Sequence, residues 1–200
     1  NGELCPCARL KLAGRKYSSS GISENAGFDR FNENIFKDPE QLKRTRRAAE
    51  ICAQYAENLE IGGAKGLLLM GETGLGKTFL MDSIGREAIR RGYSVKKYTA
   101  YNLIDAALRA VRQHEAGPEL TGAELLLLDD LGTEPMIPGV TIETLFAAIN
   151  ERQFAGKATV IATNLTKNEL FTQYGERIFS RLFASREYAA ITLRGKDLRM

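Results

Sequence analysis

Residues 71–78 read Gly-Glu-Thr-Gly-Leu-Gly-Lys-Thr, the spacing of a phosphate-binding loop. Such a loop constrains the fold because it works only between a buried strand and the first turn of a helix. Gly71, Gly74 and Gly76 let the backbone take conformations that a side chain would block. Their N–H groups can then turn inward as an anion nest, and the helix that starts at Lys77 adds the positive end of its dipole. Lys77 is placed to reach the β- and γ-phosphates of a nucleoside triphosphate, and Thr78 to offer a hydroxyl to Mg²⁺. Glu72, Thr73, Leu75 and Phe79 complete the stretch expected to surround the nucleotide.

The flanking pattern supplies the context that the loop needs. Lys65–Met70 predicts a short apolar strand, and Thr78–Arg91 a helix closed by Gly92. Strands are expected over Ser94–Thr99, Leu125–Asp129, Ala158–Thr163 and Ala189–Leu193. Helices are expected over Tyr101–Gln113 and Thr141–Ala155, with two short ones over Lys167–Tyr174 and Arg177–Phe183. Upstream, Asp38-Pro39 is a helix start that runs to Leu59, with Cys52 at an apolar position inside it. Continuous apolar strands separated by helices predict an α/β fold with a parallel sheet covered on both faces. The 200 residues suffice for one such domain, expected over 39–200, preceded by a leader over 1–38. Phe28, Phe31 and Phe36 in that leader can pack onto the neighbouring domain.

No apolar run approaches the roughly 20 residues of a membrane span, and the first ten residues lack a secretory apolar stretch. The chain therefore reads as intracellular and cytoplasmic. Its net charge of +3 permits nucleic-acid binding without arguing for it. Cys5 and Cys7, in Cys-Pro-Cys, are either half of a Zn²⁺ site whose second cysteine pair would lie upstream or two free cysteines in a tail. The chain opens with Asn, which reads as a processed or truncated piece.

A second motif follows about 50 residues after the loop: Leu125–Leu128, then Asp129 and Asp130. Carboxylates at the end of a strand buried on both faces emerge where ligands bind in such sheets. Asp129 is placed to hold Mg²⁺, and Asp130 to polarise an attacking water. Two adjacent charges there repel each other unless a cation or ligand offsets them. A third strand ends in Ala162-Thr163-Asn164, whose amide can reach the γ-phosphate or that water. Arg177 and Arg181 are four apart and share a helix face. They are an arginine finger for a neighbouring subunit's site, solvated helix side chains, or partners in local ion pairs with Glu176 and Glu187. Tyr98, Thr99 and Tyr101, after the second strand, are candidates for contact with single-stranded DNA by stacking.

Taken together, the loop, Asp129–Pro135, Ile149–Arg152, Ala162–Leu165 and Gly175–Leu182 resemble bacterial replicative helicase loaders, the DnaC/DnaI-like AAA+ ATPases, with IstB-like relatives. The resemblance covers roughly residues 20–199. It implies a five-stranded parallel sheet in the order 5-1-4-3-2 with no C-terminal lid domain. It also implies ATP and Mg²⁺ as cofactors and self-assembly through the ATP site. Asp130 departs from the pattern, being one methylene shorter than the Glu of many AAA+ proteins, and this predicts slow hydrolysis. The implied partners are a DnaB-like replicative ring helicase and single-stranded DNA. On the matching positions, Asp129 would serve the metal, Asp130 the water and Asn164 as first sensor, with Arg181 as the finger and Arg177 second. Ser20-Gly21-Ile22 through Phe31 is similar to the segment before the ATPase domain of such loaders, and their helicase-binding module is mostly missing here. Two other readings share the loop: a transposition helper ATPase of the IstB type, and a small-molecule P-loop kinase.

Overall fold

The computed structural model describes residues 20–23, 25–59, 66–114, 117–183 and 187–200. Cys5 and Cys7 lie outside these residues. Five strands form one parallel sheet: β1 (Gly66–Met70), β2 (Val95–Thr99), β3 (Leu125–Leu131), β4 (Ala158–Thr163) and β5 (Tyr188–Thr192). Their order is β2-β3-β4-β1-β5, the expected 5-1-4-3-2 read from the other edge.

The helices are α1 (Pro39–Glu57), α2 (Lys77–Arg90), α3 (Ala100–Gln113), α4 (Thr141–Phe154) and α5 (Lys167–Phe183). At the start of α1, Asp38 accepts the Glu40 N–H at 2.9 Å and Pro39 fills the first turn, so the expected cap is present. The two short helices expected after β4 are both present within α5, separated at Gly175, whose backbone is non-helical (φ 73°, ψ 175°).

Successive side chains of a strand point to opposite faces, so each strand feeds two cores. Leu67 and Leu69 join Leu125, Leu127 and Val160 under α1 and α2, together with Ile22 of the leader. Leu68 and Met70 join Leu128 and Ile161 under α3, α4 and α5. Leader residues 20–31 thus lie against α2: Ser20, Ile22 and Ala26 are buried, and Arg86 donates to the Ala26 carbonyl at 2.7 Å.

At the amino end of the strands the fully buried Arg152 of α4 ties the sheet together. Its guanidinium donates to the carbonyls of Leu120, Ala123, Glu124 and Ala158 and to Thr159 Oγ1, at 2.6–3.1 Å. Burial pulls its pKa down to about 10, which leaves it charged at neutral pH. No helix among the described residues is long and apolar enough to cross a membrane.

Candidate functional site

The loop between β1 and α2 lies at the carboxyl end of the sheet. Gly76 caps α2 in the left-handed region (φ 88°), where a side chain would be strained. At Gly71 (φ 141°) an added Cβ would sit 2.5 Å from the Leu193 carbonyl oxygen, so the chain after β5 packs directly on the loop. That packing is reinforced by Leu193 N–H donating to Met70 O at 2.8 Å and Leu198 N–H to Gly74 O at 3.0 Å. Leu75 is buried in the core and anchors the loop from beneath, while Glu72 and Thr73 are exposed. Lys77 Nζ donates to the carbonyls of Gly71 and Glu72 at 2.6 and 2.7 Å. Burial lowers the Lys77 pKa, and Asp130 and Asp129 work against that shift.

The acid strand departs from its expected end at Asp129. β3 continues to Leu131, with a register shift against β4: Leu128 pairs with Ile161, but Leu131 with Thr163. Asp130 sits in the left-handed region (φ 54°) within this bulge. Both acids stand at the carboxyl end of the sheet, Asp130 lining the cavity described below and Asp129 against Thr78 and Lys97. Asp129 Oδ1 accepts from Thr78 Oγ1 at 3.2 Å and from the Asp130 N–H at 3.1 Å. Burial raises the Asp130 pKa, and the neighbouring Asp129 charge adds to the rise.

A cation that offsets this acid pair is built into the chain. Lys97 of β2 reaches Asp129 Oδ2 at 3.1 Å and Asp82 Oδ1 of α2 at 2.7 Å. Asp129 and Asp82 are buried and Lys97 is mostly so, with 4%, 3% and 11% side-chain exposure. Burial alone would depress the lysine, but its hydrogen bond to Asp82 and the two carboxylate charges hold its pKa above the ordinary value.

A cavity of about 560 Å³ opens over these groups. One wall is Lys77, Thr78, Asp130 and Asn164, the residue just after β4. The cavity is also lined by Phe31 and Phe36 of the leader, Thr45 of α1, and Leu198 and Arg199 of the tail. The Phe31 ring lies 5.7 Å from that of Phe36 and 6.4 Å from that of Phe79, a rim of flat apolar surface beside the phosphate loop. Arg199 is held by Asp197 through Nε at 2.9 Å and Nη2 at 2.6 Å. The shape and charge suit a planar base at one end and a polyphosphate at the other. A hydroxyl and a carboxylate side by side, Thr78 and Asp129, are the donor set that Mg²⁺ takes along with phosphate oxygens and water. Among the described residues no cluster of three or more His, Cys, Asp or Glu is arranged to hold a metal ion by itself.

The other expected residues lie elsewhere. Arg177 stacks on the Phe146 ring of α4 at 3.7 Å, with Arg181 at 5.9 Å, so the two do share a face. Between the acid strand and this helix, the buried Glu134 accepts the Gly132 N–H at 2.9 Å and the Tyr174 hydroxyl. Of the three residues considered for DNA, Thr99 is committed as the cap of α3, accepting the Asn102 N–H at 3.1 Å. Tyr98 is half-buried with Lys96 Nζ 5.4 Å from its ring centre, and Tyr101 is exposed.

Comparison with known proteins fits this geometry. Residues 50–182 match the family described as IstB-like ATP binding protein, about two thirds of the chain. The chain belongs to this family. Its sequence is 25% identical over 155 residues to the replicative helicase loader DnaI of Bacillus subtilis, covering 74% of this chain and 49% of that protein. It is 32% identical over 122 residues to a putative ATP-binding protein of an insertion sequence from Geobacillus stearothermophilus, covering 60% and 46%. The chain therefore spans about half the length of these curated relatives. The crystal structure of the DnaC helicase loader superposes with a TM-score of 0.71 at 22% identity, over 86% of this chain and 98% of that one. That likeness shows the P-loop AAA+ fold, and the family match together with the DnaI relative bears out the expected DnaC/DnaI-like kinship.

Several cavity and site residues escaped the sequence reading. Leu198 and Arg199 reach the loop only through the fold of the tail, and Thr45 only through the packing of α1. Lys97 did leave a trace: Lys96-Lys97 sits inside a strand, and alternation forces one of two successive residues toward a covered face.

Proposed function

We propose that this chain is the ATPase portion of a protein that uses ATP to place a replicative ring helicase on single-stranded DNA in the cytoplasm. The observation that carries this reading is the convergence of Lys77, Thr78, Asp130 and Asn164 on one cavity, with Asp129 in contact with Thr78 behind it. In this reading the loop N–H groups and Lys77 bind the phosphates, and the leader aromatics hold the base. Mg²⁺, when bound, screens the phosphate charge, and Thr78 and Asp129 would hold it. Asp130 orients the water and Asn164 contacts the γ-phosphate or that water. Asp130 is one methylene shorter than the glutamate common at this position in AAA+ proteins, which makes turnover slow and the ATP state a timed switch. Arg181, with Arg177 second, serves the site of a neighbouring copy.

The relatives named helicase loaders support this reading. A second reading, an ATPase that helps a transposase, is supported by the family match and the insertion-sequence relative. Capture of the host's replicative helicase by the tagged chain, with ATP and ADP compared, separates them. Nucleotide-dependent capture is expected. Capture of the cognate transposase and not the helicase would establish the second reading.

A further inference from the structure

Lys97 and Asp82 have no part in the roles given above, yet they are among the most buried charges in the molecule. Burying an ammonium and a carboxylate is costly, and an ion pair alone seldom repays it relative to apolar residues of the same size. Here the pair has a third member. Lys97 Nζ is 2.7 Å from Asp82 Oδ1 and 3.1 Å from Asp129 Oδ2, while the other Asp129 oxygen faces Thr78 Oγ1 at 3.2 Å. The lysine thus takes one oxygen of the acid and leaves the other toward the phosphate loop. Asp82 is fixed in turn by the leader, where the Ser23 N–H donates to Oδ2 at 3.3 Å.

We infer that Lys97 is a positioning residue of this site, a built-in counter-charge that orients Asp129 and lets the cavity accept the triphosphate before Mg²⁺ arrives. The inference rests on the cavity being a nucleotide site. Without Lys97, Asp129 and Asp130 together face an incoming polyanion, and only the divalent ion can screen them. With Lys97 in place, part of that screening is permanent. Asp82 holds the lysine against Asp129, and the leader holds Asp82.

The test is a titration of a fluorescent ATP analogue in EDTA and again at saturating Mg²⁺, on the wild type and on Lys97→Met, Lys97→Arg and the double variant Asp82→Asn/Lys97→Met. Loss of one charge near the polyphosphate is expected to weaken binding in EDTA on the order of tenfold. With Mg²⁺ the loss is expected to stay within about threefold, because the divalent ion takes over the screening. Lys97→Arg keeps the charge and is expected to restore most of the affinity in EDTA. The double variant removes the Asp82 charge that Lys97→Met would leave buried and unpaired, so that Asp129 alone loses its partner. This limits a folding defect, and the variant is expected to show the same Mg²⁺ dependence as Lys97→Met. Equal losses in both conditions, or a wild type as dependent on Mg²⁺ as Lys97→Met, would overturn the inference. No binding by the wild type in either condition would overturn the nucleotide reading itself, and this inference with it.

Discussion

Two buried cations stand at opposite ends of the same sheet, and their partners differ in kind. Arg152, at the amino end, has carbonyls and one hydroxyl around it. Lys97, toward the carboxyl end, has two carboxylates, one of them beside the phosphate loop. A guanidinium caged by backbone oxygens fastens loops to strands and has nothing left to offer a ligand. An ammonium shared between acids sets the charge of a site. In open α/β sheets ligands bind at the carboxyl ends of the strands, so the same expense of burying a charge yields stability at one end and chemistry at the other.

The comparison breaks most readily at Arg152. Arg152→Ala leaves several buried carbonyls without a donor, each worth about 1–3 kcal/mol. The expected loss of stability is about 3–5 kcal/mol, a drop of roughly 10 °C in the unfolding midpoint. ATP affinity measured well below that midpoint is expected to be unchanged; a large loss of affinity in the folded variant would mean that the two ends are not separate. A smaller effect of opposite sign is expected at Asp130. Its folded pKa is raised, so its charge opposes folding at pH above the unfolded value, and the penalty is complete once pH exceeds the folded value. Asn is neutral and tolerates the left-handed backbone at this position. Asp130→Asn is therefore expected to raise the midpoint by roughly 1–3 °C at neutral pH and to abolish turnover. The gain should shrink as pH falls toward the unfolded value. A scan of melting temperature against pH checks it, and a lower midpoint at neutral pH would contradict the assigned strain.

What could be read from residues alone divides along the same line. The loop was legible because glycine spacing reports backbone conformation directly, and Gly76 does cap α2 with a positive φ. The sheet was legible because Leu125–Leu128 admits no exposed face. The bulge was not: nothing in the run Leu125–Leu131 marks the left-handed Asp130, and only the register against β4 reveals it. Arg152 appeared as one letter of a family motif, since all but one of its acceptors are backbone atoms with no side-chain signature. Lys97 could be seen as a charge in a strand, but its partners lie 15 residues before it on α2 and beyond it on β3. The aromatics of the leader were expected to pack on the domain. That they line the cavity follows from the approach of residues 28–36 to α2, which no local pattern encodes.

The central claim is that the cavity between the phosphate loop and the leader aromatics holds a nucleoside triphosphate. Calorimetric titration of ATP with Mg²⁺ into wild type and Lys77→Ala tests it most directly. Saturable binding is expected for the wild type. For Lys77→Ala the expectation is at least a hundredfold loss, which corresponds to about 2.7 kcal/mol, at an unchanged unfolding midpoint. Equal affinity in the two proteins would contradict the account.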